Sequence, residues 1–152
     1  QSDDEDISIW IFQCNPDKYD LIRALKDKEI GNKIDWRVNQ HRSEIKKGHL
    51  ALIWKAGKDA GIYAIGRIEC DPQQMKDEFP EAKYWLGKEE KENIIRVRIS
   101  VLKSYLTKPI LKEELSQYPE LKDLSIFKFH QATNYPVRDS EWEIISSLLH
   151  HE

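Results

Sequence analysis

Methionine occurs once, cysteine twice and glycine only six times in this chain, and no apolar run approaches the ~20 residues that a membrane-spanning helix needs. No membrane association is expected, and no signal-peptide pattern opens the sequence. It begins QSDDED, an acidic, flexible tail over residues 1–6 without an initiator Met, as expected of a piece of something longer. Cys14 and Cys70 lie far apart in apolar-looking strands. Two buried thiols in a reducing, cytoplasmic setting are therefore expected rather than a disulfide scaffold. A net charge of -3 excludes nucleic-acid binding by bulk charge, so any such binding needs a local basic patch.

Catalytic signatures are missing as well. The sequence holds no Walker loop, GxGxxG, HExxH, GxSxG or CxxC. His41, His49 and His130 with the two cysteines lack metal-ligand spacing. Cys14 sits inside an apolar strand, where an inert thiol is favoured over a nucleophile. The carboxylates read as solvated faces. The terminal LLHHE resembles a tag remnant, so His150 and His151 are set aside. No catalysis, no metal and no cofactor are expected.

What remains is ample for one core. The 152 residues are 39% hydrophobic and 34% charged, and one domain over residues 7–149 is expected. ISIWIFQC (7–14) is apolar on both alternating sides, as in a central strand. Asn15 and Pro16 then suit the cap and first turn of a helix over 16–28. HLALIWKA (49–56) and GIYAIGRIEC (61–70) read as a hairpin, with Gly61 and Gly66 marking a bulge or a close backbone approach. A charged connection over 71–93 is long enough to suggest function. Residues 94–106 alternate, with Ile95, Val97, Ile99 and Val101 inward and Arg96, Arg98 and Ser100 outward. A helix is predicted from Thr107, a short strand over 126–130, an extended QATNYPV, and a final helix with a Ser140–Glu143 capping box. This order implies an α+β fold: a curved mixed sheet or small barrel of about five to six strands with flanking helices.

Aromatics are abundant: five Trp, six Tyr and four Phe. Trp10 on a two-sided strand and Trp142 on the last helix read as core. Trp36, Trp54 and Trp85 each stand at a junction with polar surroundings, where packing and ligand contact are both open. A flat base stacks on an aromatic ring for roughly 1–3 kcal/mol, and its edge needs polar partners.

Several segments, taken together and in order, resemble the EVE domain family. WIFQCNPDKYD (10–20) is similar to its W-[LI]-F-x-x-x-P-D-x-Y opening, and WRVNQHR (36–42) to its W-x-V-R-N-[YQ]-x-A-R. KGHL (47–50) resembles K-x-G-D-x-[VAL], GIYAIG (61–66) resembles G-I-x-x-x-[AG], and QATNYPV (131–137) with Glu141-Trp142 resembles the Q-G-T-N-[YF]-P-[VL] ending. The resemblance implies a PUA-like curved β-barrel related to YTH domains. It also implies a reader that flips a modified base (5-methylcytosine, 5-hydroxymethylcytosine or 6-methyladenine) into an aromatic pocket. Such a reader serves as the specificity module of a modification-dependent restriction system.

The implied partner is double-stranded DNA carrying a modified base, with cleavage left to a nuclease domain or subunit. The alternative is a single-domain RNA-binding PUA-like protein without modified-base specificity. By position, Trp36 matches a pocket wall, with Trp54, Trp85 and Tyr63 as candidates for the others. Gln13, Asn15 and Asn39 are the candidates for the base edge. Arg37, Arg42, Lys46 and Lys47, with Arg96 and Arg98, are the candidates for phosphate. Two or more Trp edges are expected to line the cavity, and Trp36→Ala is expected to abolish discrimination without unfolding. Gln13, Asn15, His49 and Ala132 depart from the family's usual Lys, Glu, Asp and Gly, and the Arg of WRVNQ comes one residue early. These departures bear on base identity rather than on fold.

Overall fold

The computed structural model describes residues 7–27, 33–75, 94–129 and 131–150. The tail at 1–6, most of the 71–93 connection and Trp85 lie outside the described residues. In chain order the elements are β1 (Ile9–Cys14), α1 (Leu21–Lys26), β2 (Lys33–Arg37), β3 (Leu50–Lys55), β4 (Gly61–Ile68) and β5 (Gln73–Met75). There follow β6 (Ile94–Ser104), β7 (Ile110–Leu111), α2 (Lys112–Leu115), a 3-10 turn (Pro119–Leu121), α3 (Ser125–Lys128), β8 (Asn134–Val137) and α4 (Asp139–His150). Among the described residues no helix is long and apolar enough to cross a membrane.

The strands form one curled, mixed sheet in the order β2-β6-β4-β3-β1-β8, with β5 on β6 and β7 on β4. The fold is the expected curved mixed sheet with flanking helices, a half-barrel with eight strands among the described residues where about five to six were expected. β1 runs parallel to β3 and antiparallel to β8, so the C-terminal ends of β1 and β3 and the start of β8 meet at one edge. That juxtaposition builds the site.

Alternation sorts the core into two layers, as period two requires. Trp10, Phe12 and Cys14 of β1 join Ala51, Ile53, Trp36 and the α1 residues Leu21 and Ala24 in one cluster. Ile9 and Ile11 join Leu52 and Trp54 against Leu115, Ile126, Ile145 and Leu149 of α2, α3 and α4 in the other. Both faces of β1 are covered, as its two-sided apolarity predicts. The hairpin forms, and the glycines explain its neighbours. A Cβ on Gly61 would overlap the Ile110 carbonyl, and one on Gly66 would lie 2.7 Å from the Ser100 carbonyl oxygen.

Other expectations are corrected. The first helix begins at Leu21, because Asn15 closes a separate turn: its side chain accepts from the Asp17 N–H (2.9 Å) and its carbonyl from those of Lys18 and Tyr19. Asp20 is the cap instead. Residues 126–129 are not a strand, since the edge of β1 is taken by Asn134–Val137 and Ser125–Lys128 make a helical turn; His130 lies outside the described residues. The helix predicted from Thr107 shrinks to Lys112–Leu115, because Ile110–Leu111 pair with β4. In α4 the capping carboxylate is Glu141, accepting from the Arg138 N–H at 2.9 Å, rather than Glu143. On β6, Arg96 is fully buried where it was expected to face outward. At that register the strand is paired on both edges, with Arg37 and with Gln73.

Candidate functional site

At the edge where β1 and β3 end, a cleft of about 750 Å³ opens. Four chain segments line it: Gln13 to Tyr19 leaving β1, Trp36–Arg37 ending β2, Lys55 to Lys58 leaving β3, and Gln131 to Thr133 entering β8. The register explains the meeting, because Gln13 pairs with Trp54, Cys14 with Lys55, and the Gln13 N–H donates to the Thr133 carbonyl at 2.8 Å.

The aromatic wall is Trp36 and Tyr19. Their rings meet edge to face at 5.4 Å, with 78° between planes. Trp36 is only 3% exposed, so it offers the cleft an edge while its body packs in the core. Gln13 is locked in place: its Nε2 donates to the Ala132 carbonyl (2.6 Å) and to the Tyr135 hydroxyl (3.1 Å). Tyr135 Oη in turn accepts from the Ala132 N–H at 3.0 Å. Burial raises the Tyr135 hydroxyl pKa, against the opposing effect of those two bonds, so it stays protonated in the neutral range. Asn15 also lines the cleft, although its side-chain oxygen already holds the Asp17 N–H.

Charge distinguishes this cleft from the chain as a whole. Lys18, Arg37, Lys55 and Lys58 line it, against the single carboxylate of Asp17. A locally cationic concavity therefore sits in a protein of net charge -3. Cys14 also lines the cleft, but burial pushes its thiol up to about 12 against the pull of Lys55, leaving it protonated and a poor nucleophile.

The remaining candidates separate. Trp54 is buried in the other layer, meeting Phe127 edge to face at 6.3 Å. It borders a smaller cavity of about 330 Å³ that shares Gln13, Ala56 and Gly57 with the main cleft. The parity of β3 forbids it from joining Trp36. Trp36 is thus the one indole among the described residues that lines the main cleft, where two were expected. Tyr63 is buried beyond the lining, with its hydroxyl donating to the Asp59 carbonyl at 2.7 Å and the Lys55 ammonium 5.3 Å from its ring. It supports the turn after β3 rather than the cleft wall.

Asn39 reaches the site through Thr133, donating from Nδ2 to Oγ1 at 2.9 Å. Arg42 is exposed, with its Nε donating to the Val38 carbonyl (2.8 Å). Lys46 and Lys47 are exposed on a turn held by Asp71. Arg96 is enclosed and faces no open surface, whereas Arg98 binds the buried Asp35 at 2.9 Å and 3.3 Å while its side chain stays 36% exposed. The sequence reading missed Lys18, Tyr19, Lys58 and the Gln131–Thr133 lip. The signal for them was topological, since parallel pairing of two strands puts the turns that follow them side by side. Gly57 confirms the contact, because a Cβ there would touch Pro16 at 3.5 Å.

Among the described residues no group of three or more His, Cys, Asp or Glu is arranged to hold a metal ion. Residues 8–148 match the family model described as the EVE domain. Among solved structures, a hypothetical protein from Leishmania major is similar at 17% identity and TM-score 0.69, with 97% of each chain covered. A protein from Pseudomonas putida is similar at 20% identity and TM-score 0.65, over 93% of this chain and 99% of that one. Human THYN1, solved in complex with 5-methylcytosine-containing DNA, is similar at 19% identity and TM-score 0.66, over 93% of this chain and 96% of its own. No curated protein matches.

Proposed function

Because the chain belongs to the EVE domain family, we propose that it binds nucleic acid and reads a modified base, taking the base out of a duplex into the cleft beside Trp36. The observation that carries this reading is the cleft itself, with an aromatic wall and four cationic side chains in a protein that is otherwise acidic. A flipped base packs against the cleft wall to which Trp36 presents its edge, and its polar edge meets Gln13, Asn15 and the backbone of the Gln131–Thr133 lip. Lys18, Arg37, Lys55 and Lys58 hold the phosphates around the mouth, which fixes register without reading sequence. Asn39 acts through Thr133, and Arg42, Lys46 and Lys47 extend the basic surface along the loop between β2 and β3.

A modified cytosine in DNA is the first candidate ligand, supported by the structural likeness to human THYN1 in its 5-methylcytosine DNA complex. Strand cleavage belongs to a separate nuclease domain or subunit on this reading, in keeping with a modification-dependent restriction system, and the chain itself binds without catalysis.

The deciding measurement is binding of short duplexes that are unmodified or carry 5-methylcytosine, 5-hydroxymethylcytosine or 6-methyladenine, with matched RNA duplexes alongside. Preference for one modified duplex over its unmodified counterpart supports the reader. Equal affinity for all of them overturns it.

A further inference from the structure

A base that leaves a duplex opens a gap of one stacking step, about 3.4 Å along the strand. Closing that gap stabilises the extruded state, and proteins that open base steps commonly do so with an apolar wedge. Among the described residues the large exposed hydrophobics are Ile7, Leu102 and Phe129, and Phe129 is the most exposed, at 68%. Ile7 precedes the end of β1 opposite to the cleft, and Leu102 is the unpaired extra residue where the β4–β6 register shifts. Phe129 differs in position. It lies two residues before Gln131, which begins the lip of the cleft, so its Cα is at most about 7.6 Å from that of Gln131.

The chain on both sides of it is hydrogen-bonded to the fold. The Phe129 N–H donates to the Ser125 carbonyl at 3.0 Å, ending α3. Two residues upstream, Phe127 packs edge to face on the buried Trp54. Four and five residues downstream, the Thr133 and Asn134 N–H groups are both held by Gln40 Oε1. An exposed aromatic ring two residues before the lip of the cleft, with the chain anchored on either side, is placed for contact.

We propose that Phe129 is the wedge that enters the duplex when a base is taken into the cleft, filling the vacated step while Lys18 and Lys58 hold the flanking phosphates. This rests on the base-reading function proposed above. It adds a residue outside the pocket whose role is extrusion rather than recognition. The signature follows from that division. Losing the wedge weakens binding where a base must be extruded, and leaves binding unchanged where it need not be.

The test compares the wild-type chain with Phe129→Ala and Phe129→Trp on one modified oligonucleotide, presented as a matched duplex and as a single strand. Because the ring is 68% exposed, Phe129→Ala is expected to leave the far-UV spectrum and melting temperature unchanged. It is expected to weaken duplex binding about tenfold, the size of one lost ring–base stack, while single-strand binding changes by less than about twofold. Phe129→Trp is expected to restore duplex binding. A 2-aminopurine next to the modified base should brighten on wild-type binding and much less with Phe129→Ala. Equal loss on both substrates, or no loss on either, overturns the wedge while leaving the reader standing. A wild-type chain with no preference for any modified base in either form overturns the reader, and the wedge with it.

Discussion

Gln40 and Asn134 clasp one another across the seam where the two ends of the sheet approach. Gln40 Oε1 accepts from the N–H groups of Thr133 (3.0 Å) and Asn134 (2.9 Å). Asn134 Oδ1 accepts from those of Asn39 (2.7 Å) and Gln40 (3.1 Å), and its Nδ2 donates to the Arg37 carbonyl at 3.1 Å. β2 and β8 share no ladder, so two side chains supply the backbone partners that a strand pairing would otherwise provide. The clasp also fixes Arg37 and Thr133, both of which line the cleft.

The clasp should be sensitive to hydrogen-bond polarity rather than to size. Asn134 is buried, so Asn134→Ala strands two N–H groups and a carbonyl and is expected to cost about 2–4 kcal/mol, read as a lower urea midpoint at unchanged slope. Gln40 contributes only its oxygen to these bonds. Gln40→Glu should therefore keep most of the stability, whereas Gln40→Leu should lose about as much as Asn134→Ala. If Gln40→Glu proves as damaging as Gln40→Leu, the assigned orientation of the amide is wrong.

Trp36 needs a different test from the one its sequence position suggests. At 3% exposure, Trp36→Ala opens a large cavity under Tyr19 and is expected to destabilise by about 3–5 kcal/mol, so lost binding would say nothing about the pocket. Trp36→Phe keeps most of the packing and reduces the ring facing the cleft. Its expected outcome is a folded protein with weaker binding to the modified duplex and little change on the unmodified one. The two affinities are to be measured side by side with a melting curve.

These residues also show what the sequence could and could not reveal. The two-sided apolarity of residues 7–14, the 49–70 hairpin and the alternation after Ile94 were legible because burial imposes a period on the chain. The WRVNQ and QATNYPV segments stood out as landmarks, and the structure gives the reason: Gln40 and Asn134 close the barrel. Trp54 stayed open between packing and ligand contact in the sequence, because the polar turn that follows it hides that its face is the one shared with Leu52, two residues back. Lys18 and Lys58 were missed because their proximity depends on β1 and β3 pairing in parallel, a long-range fact with no local signature. Arg96 read as an outer residue because alternation does not show that β5 and β2 flank the strand at that register.

That correction separates two classes of basic residue. Lys18→Ala and Lys58→Ala, on exposed turns at the mouth of the cleft, should weaken binding to modified and unmodified duplexes alike. Each should also lower the slope of log K against log salt by about one. Arg98→Ala should behave differently, because it leaves the Asp35 carboxylate buried without this partner. Its expected effect is a loss of stability with an unchanged salt slope for the protein that remains folded. A reduced slope for Arg98→Ala would place its guanidinium on the nucleic acid after all.

Cys14 carries a pH dependence of known sign. Burial raises its folded-state pKa to about 12, while in the unfolded chain a thiol titrates near its ordinary value of about 8.5. Below about pH 8.5 both states keep the proton, and the thiol adds no slope. Above it the unfolded chain ionises and the folded one does not, so stability falls as pH rises toward 12. The contribution is at most about 1.4 kcal/mol per pH unit. Cys14→Ala should remove this alkaline slope whatever it does to the stability at neutral pH, so the quantity to compare is the slope of unfolding free energy between about pH 9 and 11. The same burial predicts the labelling pattern at pH 8: half-buried Cys70 reacts with a thiol reagent in the native protein, and Cys14 reacts only as the chain unfolds. Equal labelling rates for the two thiols would mean that the end of β1 opens far more readily than its enclosure in the core allows.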